Sequence, residues 1–430
     1  MLYPLPLRHG LLGLSLGLLC ACAEQPASEQ ISSAASSTNA LPSTTVAASS
    51  VSPSSPIAAQ SFAQWREQFR EQALAAGIRP EVFDQAFAGI SLDASVVKAD
   101  TSQPEFSRPV WDYLDSAISA TRVRRGQALL NEHAATLGAI EQRYGVDRQV
   151  LVAIWGMESS FGQFMGDKSV IRSLASLAYE GRRPAFAHSQ LLAALEILQH
   201  GDVQTGQLLG SWAGAMGQTQ FIPTTYNHYA VDFDGDGRRD IWSSSADALA
   251  SAANYLHSSG WQQGQPWGME VALPEGFDYA LADDEIRKPL REWRALGVKN
   301  LPLNFSEARA SLLLPAGHRG PAFLVLDNFR AILKYNNSTS YALAVSLLSE
   351  RLLGGGQVLA QWPRDELPLS RAQRIVLQEQ LTSKGFNTGG VDGIIGANSR
   401  KAIRRYQQSI GWPADGYPNQ ALLQKLISTL

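Results

Sequence analysis

From Tyr113 to about Tyr255 the signals along the chain are almost all helical. A run of that length commits the body of the protein to helices packed on helices. Strand-like runs come only later, at Ala310 to Leu314 and Ala322 to Leu326, with a Gly/Pro turn region between them. Ordered structure begins near Ser61, where Phe62, Trp65, Phe69 and Leu74 recur at helical spacing, and Arg79-Pro80-Glu81 opens a short helix carrying Val82, Phe83 and Phe87. A helix is expected from about Tyr341 to Leu353, before Gly354-Gly355-Gly356 and Pro363 mark a boundary. The expected class is mainly α, of the α+β kind, with a small β element and a compact helical module over Leu367 to Leu430.

The 430 residues exceed one ordinary domain. They divide into an export signal over 1–22, a tether over 23–60, a principal region over 61–360 and the C-terminal module over 367–430. Arg8 supplies a short positive stretch, and Leu11 to Leu19 is an apolar run too short to span a membrane as a mature helix. Leu19 stands three before Cys22 and Ala21 just before it, which fits a lipoprotein cleavage box; Cys20, preceded by Leu19, fits poorly. Lipidation at Cys22 would hold the protein at a membrane surface. An ordinary cleaved signal with incidental cysteines is the alternative. Ala23, rather than Asp, follows Cys22. By resemblance to Gram-negative lipoproteins, that favours the outer membrane, facing the periplasm. Gln25 to Gln60 is rich in Ser, Ala, Thr and Pro with Glu29 as its one charge, so it cannot bury enough apolar surface to offset ordering.

Composition removes several chemistries. Cys20 and Cys22 are the only cysteines, so the globular part has no disulfide, thiolate metal site or cysteine nucleophile. The seven histidines include no HExxH pair, which argues against zinc hydrolysis. A net charge of -3 gives no general drive toward nucleic acid.

Asp147 to Gly162 reads DRQVLVAIWGMESSFG. Asp147 is a good N-cap, and Val150, Leu151, Ile154, Met157 and Glu158 fall on one helix face. Glu158 thus ends an apolar stripe near a helix C-terminus. Partial burial and the negative end of the helix dipole both disfavour its charged form. A carboxylic acid that stays protonated at neutral pH is what cleavage of a glycosidic bond needs. Ser211 to Tyr226, SWAGAMGQTQFIPTTY, follows no amphipathic period. Its glycines permit close backbone approach, Gln218 and Gln220 offer amides, and Trp212, Phe221 and Tyr226 offer ring faces.

Asp232-Phe-Asp234-Gly-Asp236-Gly-Arg-Arg-Asp240 has the spacing of an EF-hand loop over 232–243. Asp232, Asp234 and Asp236 hold positions one, three and five, Arg238 offers its carbonyl at seven, and Asp240 fits nine. Position twelve is Ser243 instead of a bidentate Glu, which predicts a weaker or less selective site for a structural Ca²⁺.

Glu158-Ser-Ser-Phe-Gly, followed by Gly214-Ala-Met-Gly-Gln-Thr-Gln-Phe-Ile-Pro, resembles the lytic murein transglycosylases, lysozyme-like enzymes of the bacterial wall. The longer string from Ser211 to Trp242 is similar to the membrane-bound lytic murein transglycosylase B family, over roughly Ser61 to Leu353. The resemblance implies a lysozyme-like core, with peptidoglycan as substrate and Glu158 as catalytic acid/base. It places Ser211 and Gln220 in the motif lining the sugar cleft, and Tyr335, Asn336 and Tyr341 in a late cleft motif. Tyr113 and Tyr255 look like further cleft tyrosines. The family carries a similar acidic loop, which supports calcium. Leu377 to Leu430 resembles the three-helix peptidoglycan-binding domain. The implied reaction cuts the MurNAc-β-1,4-GlcNAc bond and leaves 1,6-anhydro ends. A hydrolase of the same bond and a silent wall-binding lipoprotein are the alternatives.

Overall fold

The structure is a computed structural model that describes residues 61–101 and 108–428. The export signal, the tether and the lipidation expected at Cys22 lie outside the described residues. Ser61 opens α1 (Phe62–Ala75) with a capping box: its hydroxyl accepts the Gln64 N–H, and the Gln64 side chain accepts the Ser61 N–H. Then come α2 (Pro80–Ala86) and α3 (Ala94–Thr101). Phe83 and Phe87 stack at 4.3 Å, and Phe69 packs against both.

The central bundle starts with α4 (Val110–Ala117), α5 (Ala120–Glu132), α6 (Ala134–Tyr144) and α7 (Arg148–Ser159). Asp147 takes the N-cap conformation of α7, but its side chain makes no capping bond. Glu141 of α6 accepts the Arg148 N–H at 3.1 Å instead. Leu151 to Gly156 are buried without a break, so α7 is enclosed on all sides and not only along one stripe. Its neighbours are α5, α6 and two later helices, Ser245–Ser258 and Thr339–Leu352.

A second core forms around α8 (Val170–Glu180) and α9 (Pro184–His200). The short strands β1 (Lys168–Ser169) and β2 (Leu209–Gly210) pair antiparallel beside it. α10 (Pro223–Tyr229) buries Tyr226 in this core, and α11 (Ser245–Ser258) leads back to α7. β3 (Gly268–Val271), β4 (Lys288–Pro289), β5 (Arg309–Leu313) and β6 (Ala322–Val325) form an antiparallel sheet in the order β3-β6-β5-β4. Val325 faces Gly268 on one side and Ser311 on the other. β5 and β6 coincide with the two strand-like runs. α12 (Leu290–Ala295) covers the sheet with Trp293, whose Nε1 donates to the Ala310 carbonyl at 3.0 Å. The chain returns to the bundle through α13 (Asp327–Tyr335) and α14 (Thr339–Leu352), the latter packed along α7.

α15 (Arg371–Ser383), α16 (Ala397–Ser409) and α17 (Gln420–Ser428) enclose a separate core of Leu377, Leu381, Ile403, Tyr406, Leu422 and Leu426. Gly396 is the N-cap of α16. The Ser399 hydroxyl accepts from Gln378 at 3.1 Å and points to the Thr388 carbonyl, closing the α15–α16 loop. This module docks on the sheet region. His318 meets Asp415 at 2.6 Å, Lys401 meets Glu285 at 2.5 Å, and Arg404 pairs with Asp283.

Candidate active site

Glu158 is the penultimate residue of α7, where the helix ends abruptly. Ser160 and Phe161 both take left-handed backbone angles, φ 48° and 63°, which costs free energy for side chains other than glycine. Packing holds this turn. The Phe161 ring fills a slot against Gly156 and Gly126, where an added Cβ on Gly156 would lie 2.7 Å from the ring. The Ser159 hydroxyl donates to the Gln218 carbonyl at 2.8 Å and accepts the Gly162 N–H at 2.9 Å. Gly166 (φ +88°) lies so close to the 210–211 backbone that a Cβ would sit 2.2 Å from the Gly210 carbonyl oxygen. The glycine-rich segment after Ser211 is thereby drawn against the end of the helix that carries Glu158.

The Tyr341 hydroxyl donates to Glu158 Oε1 at 2.5 Å. Burial pushes the Glu158 carboxyl up to about 7, and the Tyr341 hydrogen bond opposes it without winning. Glu158 keeps part of its surface accessible, as a group at the floor of a cleft does. No other carboxylate among the described residues acts on it.

Three tyrosines lie within the field of that carboxyl. Burial first, and the charge of Glu158 second, hold the hydroxyls of Tyr113, Tyr335 and Tyr341 above the usual tyrosine range. Tyr335 donates to the Thr219 carbonyl at 2.8 Å and so fastens the Ser211 segment to α13. Asn336, buried, ends α13 beside it. Tyr255 serves differently. Its hydroxyl donates to the Lys334 carbonyl at 2.5 Å, its ring lies 5.1 Å from Tyr335, and Glu158 is not among the groups that perturb it. Tyr255 therefore props Tyr335. The Ser211 hydroxyl accepts the N–H groups of Ala213 and Ala215, at 3.3 and 3.0 Å, and shapes its own loop. Gln220, at φ 51°, spends its amide nitrogen on the carbonyls of Met165 and Gly217, at 3.0 and 2.8 Å. Only its amide oxygen is left to offer.

The acidic loop is organised from outside itself. Carboxylate oxygens of Asp232, Asp234 and Asp247 lie within 4.8 Å of one another. Asp247 belongs to the first turn of α11 and is fully buried, beyond the reach of loop spacing. It accepts the N–H groups of Phe233 and Asp240, both at 2.8 Å. Asp236 turns away to pair with the Arg238 side chain at 2.9 Å, and Asp240 caps the N–H groups of Trp242 and Ser243. The three clustered carboxylates make no ion pair with a described residue, and burial together with the Asp234 charge raises Asp247. Hard oxygens in an uncompensated cluster suit a hard cation.

The Glu158 environment has a cost in stability. A carboxyl moved from 4.5 to about 7 loses about 3 kcal/mol when ionised, at ~1.4 kcal/mol per pH unit. Below pH 4.5 both folded and unfolded chains hold the proton, so the cost is absent. It grows as pH rises through 4.5 to 7, where only the folded chain keeps the proton, and is constant above. Glu158→Gln should therefore raise the melting temperature at pH 8, with the gain shrinking toward pH 4.5. A gain that does not vary with pH would contradict this.

Residues 61–350 match the Transglycosylase SLT domain, and residues 370–426 match a peptidoglycan binding domain. Membrane-bound lytic murein transglycosylase B of Escherichia coli (strain K12) is 32% identical over 245 residues, covering 55% of this chain and 66% of that protein. The crystal structure of SltB3 from Pseudomonas aeruginosa, in complex with NAG-anhNAM-pentapeptide, is 65% identical. It superposes with a TM-score of 0.84 over 86% of this chain and 100% of that one. The Escherichia coli lytic transglycosylase Slt35 in complex with calcium is 29% identical, with a TM-score of 0.58 over 67% of this chain and 92% of that one. A carboxyl at the end of α7 whose proton affinity is raised by burial, backed by a matching catalytic domain and a matching wall-binding module, places this chain in the lytic transglycosylase SLT family.

Proposed function

We propose that this chain cleaves the MurNAc-β-1,4-GlcNAc bond of peptidoglycan and leaves 1,6-anhydromuramyl ends, with Glu158 acting as acid and then as base. The observation that carries this reading is one carboxyl held at about 7 with no second carboxylate among the described residues acting on it. Ordinary glycosidases flank the bond with two. A single group near neutral pH can give a proton and take one back with little penalty in either direction. Protonated Glu158 donates to the glycosidic oxygen as the C1–O bond breaks. The muramyl acetamido carbonyl stabilises the electron-poor C1. The Glu158 carboxylate then removes the proton from the muramyl C6 hydroxyl as O6 bonds to C1. Glu158 ends protonated, and no water is consumed. The Tyr341 hydroxyl on Oε1 steadies the carboxylate formed between the two transfers. The Gln220 amide oxygen, left over by the two bonds of its amide nitrogen, would accept from a sugar N–H or hydroxyl. The C-terminal module holds glycan near the cleft and raises its effective concentration.

Mass spectrometry of digested glycan strands tests the reaction. Anhydro ends, lighter than reducing ends by one water, are expected as the main product, and Glu158→Gln should lower turnover by at least about a thousandfold. Reducing ends as the main product would favour hydrolysis, and retained activity in the folded variant would acquit Glu158.

The acidic loop is proposed to take a structural Ca²⁺ through Asp232, Asp234 and Asp247, supported by their clustering and by the relative described in complex with calcium. The Arg238 carbonyl is a further donor in the loop, and Asp236 and Asp240 would join only by leaving their present partners. Calcium should raise the melting temperature of the wild type by several degrees, and Asp234→Asn or Asp247→Asn should remove that shift. The absence of a shift in the wild type would sink the site.

The protein is further proposed to be exported and anchored through acylated Cys22, on the periplasmic face of the outer membrane. The cleavage box at Cys22 and the membrane-bound relative support this. No helix among the described residues is long and apolar enough to cross a membrane. Cys22→Ser should move the protein from the membrane to the soluble fraction; an unchanged distribution would contradict the anchor.

A further inference from the structure

A cavity of about 180 Å³ lies between the C-terminal module and the catalytic body. Ala397, Arg400 and Arg404 of α16 line one side, and Leu312, Thr339 and Ser340 line the other. Most charges at its rim are already matched: Lys401 with Glu285, Arg404 with Asp283, and Asp415 with His318. Arg400 differs. It is half-buried, and its guanidinium makes no hydrogen bond or ion pair with a described residue. Burial lowers its hold on the proton; Asp284 and Asp415, on the same cavity lining, and Tyr417 oppose this only through space, and Arg404 adds to it. A desolvated cation without a bonded partner is costly, and a carboxylate is the group that would relieve it.

The cavity lining belongs in part to elements that also carry the catalytic site. Thr339 and Ser340 begin α14, and the next residue is Tyr341, hydrogen-bonded to Glu158. Val110, also on the lining, opens α4, which carries Tyr113. The N-terminus of α14 adds a positive helix end to the same wall. Three stem residues span at most roughly 10 Å, which is the reach available to a stem carried by a muramyl residue beside Glu158.

We propose that this cavity is a subsite for a carboxylate of the peptide stem carried by the muramyl residue in the cleft, with Arg400 as its receptor. The assignment rests on the peptidoglycan reading of the cleft. It gives the docking of the C-terminal module a second use, because α16 completes a substrate site that the catalytic domain alone lacks. The planar guanidinium matches a carboxylate bidentately, which lysine at this position would do less well.

The test compares glycan strands bearing stems with the same strands stripped of them, using the full chain. Arg400→Gln should raise KM for stem-bearing strands by roughly fivefold relative to stripped ones, and Arg400→Lys should recover part of the difference. An equal change on both substrates, or none on either, would overturn the proposal. Calorimetry with a free stem tripeptide gives an independent reading that needs no cleavage. Binding to the wild type should weaken by roughly fivefold or more when the peptide carboxylates are amidated; no binding, or equal binding of the amidated peptide, would refute the subsite. Failure to cleave either strand would count against the proposed reaction instead, while the calorimetry would still decide the subsite.

Discussion

One hydrogen bond joins the two helices at the centre of this protein. Tyr341, in the first turn of α14, donates to Glu158, near the last turn of α7. Burial of the carboxyl and the helix C-terminus beside it raise its affinity for a proton. The hydrogen bond lowers that affinity. Burial wins, but not by enough to lock the proton on, and the balance falls at about 7. A drier site without Tyr341 would hold an acid unable to act as base. A wetter one would hold an ordinary carboxylate.

Much of the surrounding structure maintains that balance. Two consecutive left-handed residues after the helix allow the chain to turn beneath the carboxyl. Phe161, wedged against Gly156 and Gly126, offsets the strain of the turn. Ser159 and Tyr335 each bind a carbonyl of the Gln218-Thr219 pair, from opposite elements, and so fix the glycine-rich segment relative to the acid. The enzyme carries an apolar, fully enclosed helix ending in a carboxyl that is destabilising when charged. That trade of stability for reactivity is common at active sites.

What the amino-acid sequence revealed was mostly what depends on neighbours along the chain. The position of Glu158 at the end of an apolar helix, the strands at β5 and β6, and the separate C-terminal helices all follow from local period and punctuation. Features that depend on neighbours in space were hidden. Glu141 caps α7 in place of Asp147 because α6 happens to lie across it. Asp247 joins Asp232 and Asp234 from α11, outside the spacing that marks the loop, while Asp236 and Asp240 turn to backbone and side-chain partners of their own. Ser211 sits in the expected motif, yet its hydroxyl is used to build the loop. Tyr255 lies with the cleft tyrosines but acts through Tyr335. Burial of Ser159 and its bond to Gln218 carry no mark in a serine that looks like part of a helix exit.

The balance at Glu158 is open to direct observation. A ¹³C NMR titration of the Glu158 side-chain carboxyl in the folded protein reports its proton affinity without reference to substrate. A midpoint of about 7 is expected, moving higher in Tyr341→Phe as the opposing hydrogen bond is lost. A midpoint near 4.5, the ordinary glutamate value, would show that Glu158 is charged at neutral pH and could not begin the reaction as an acid.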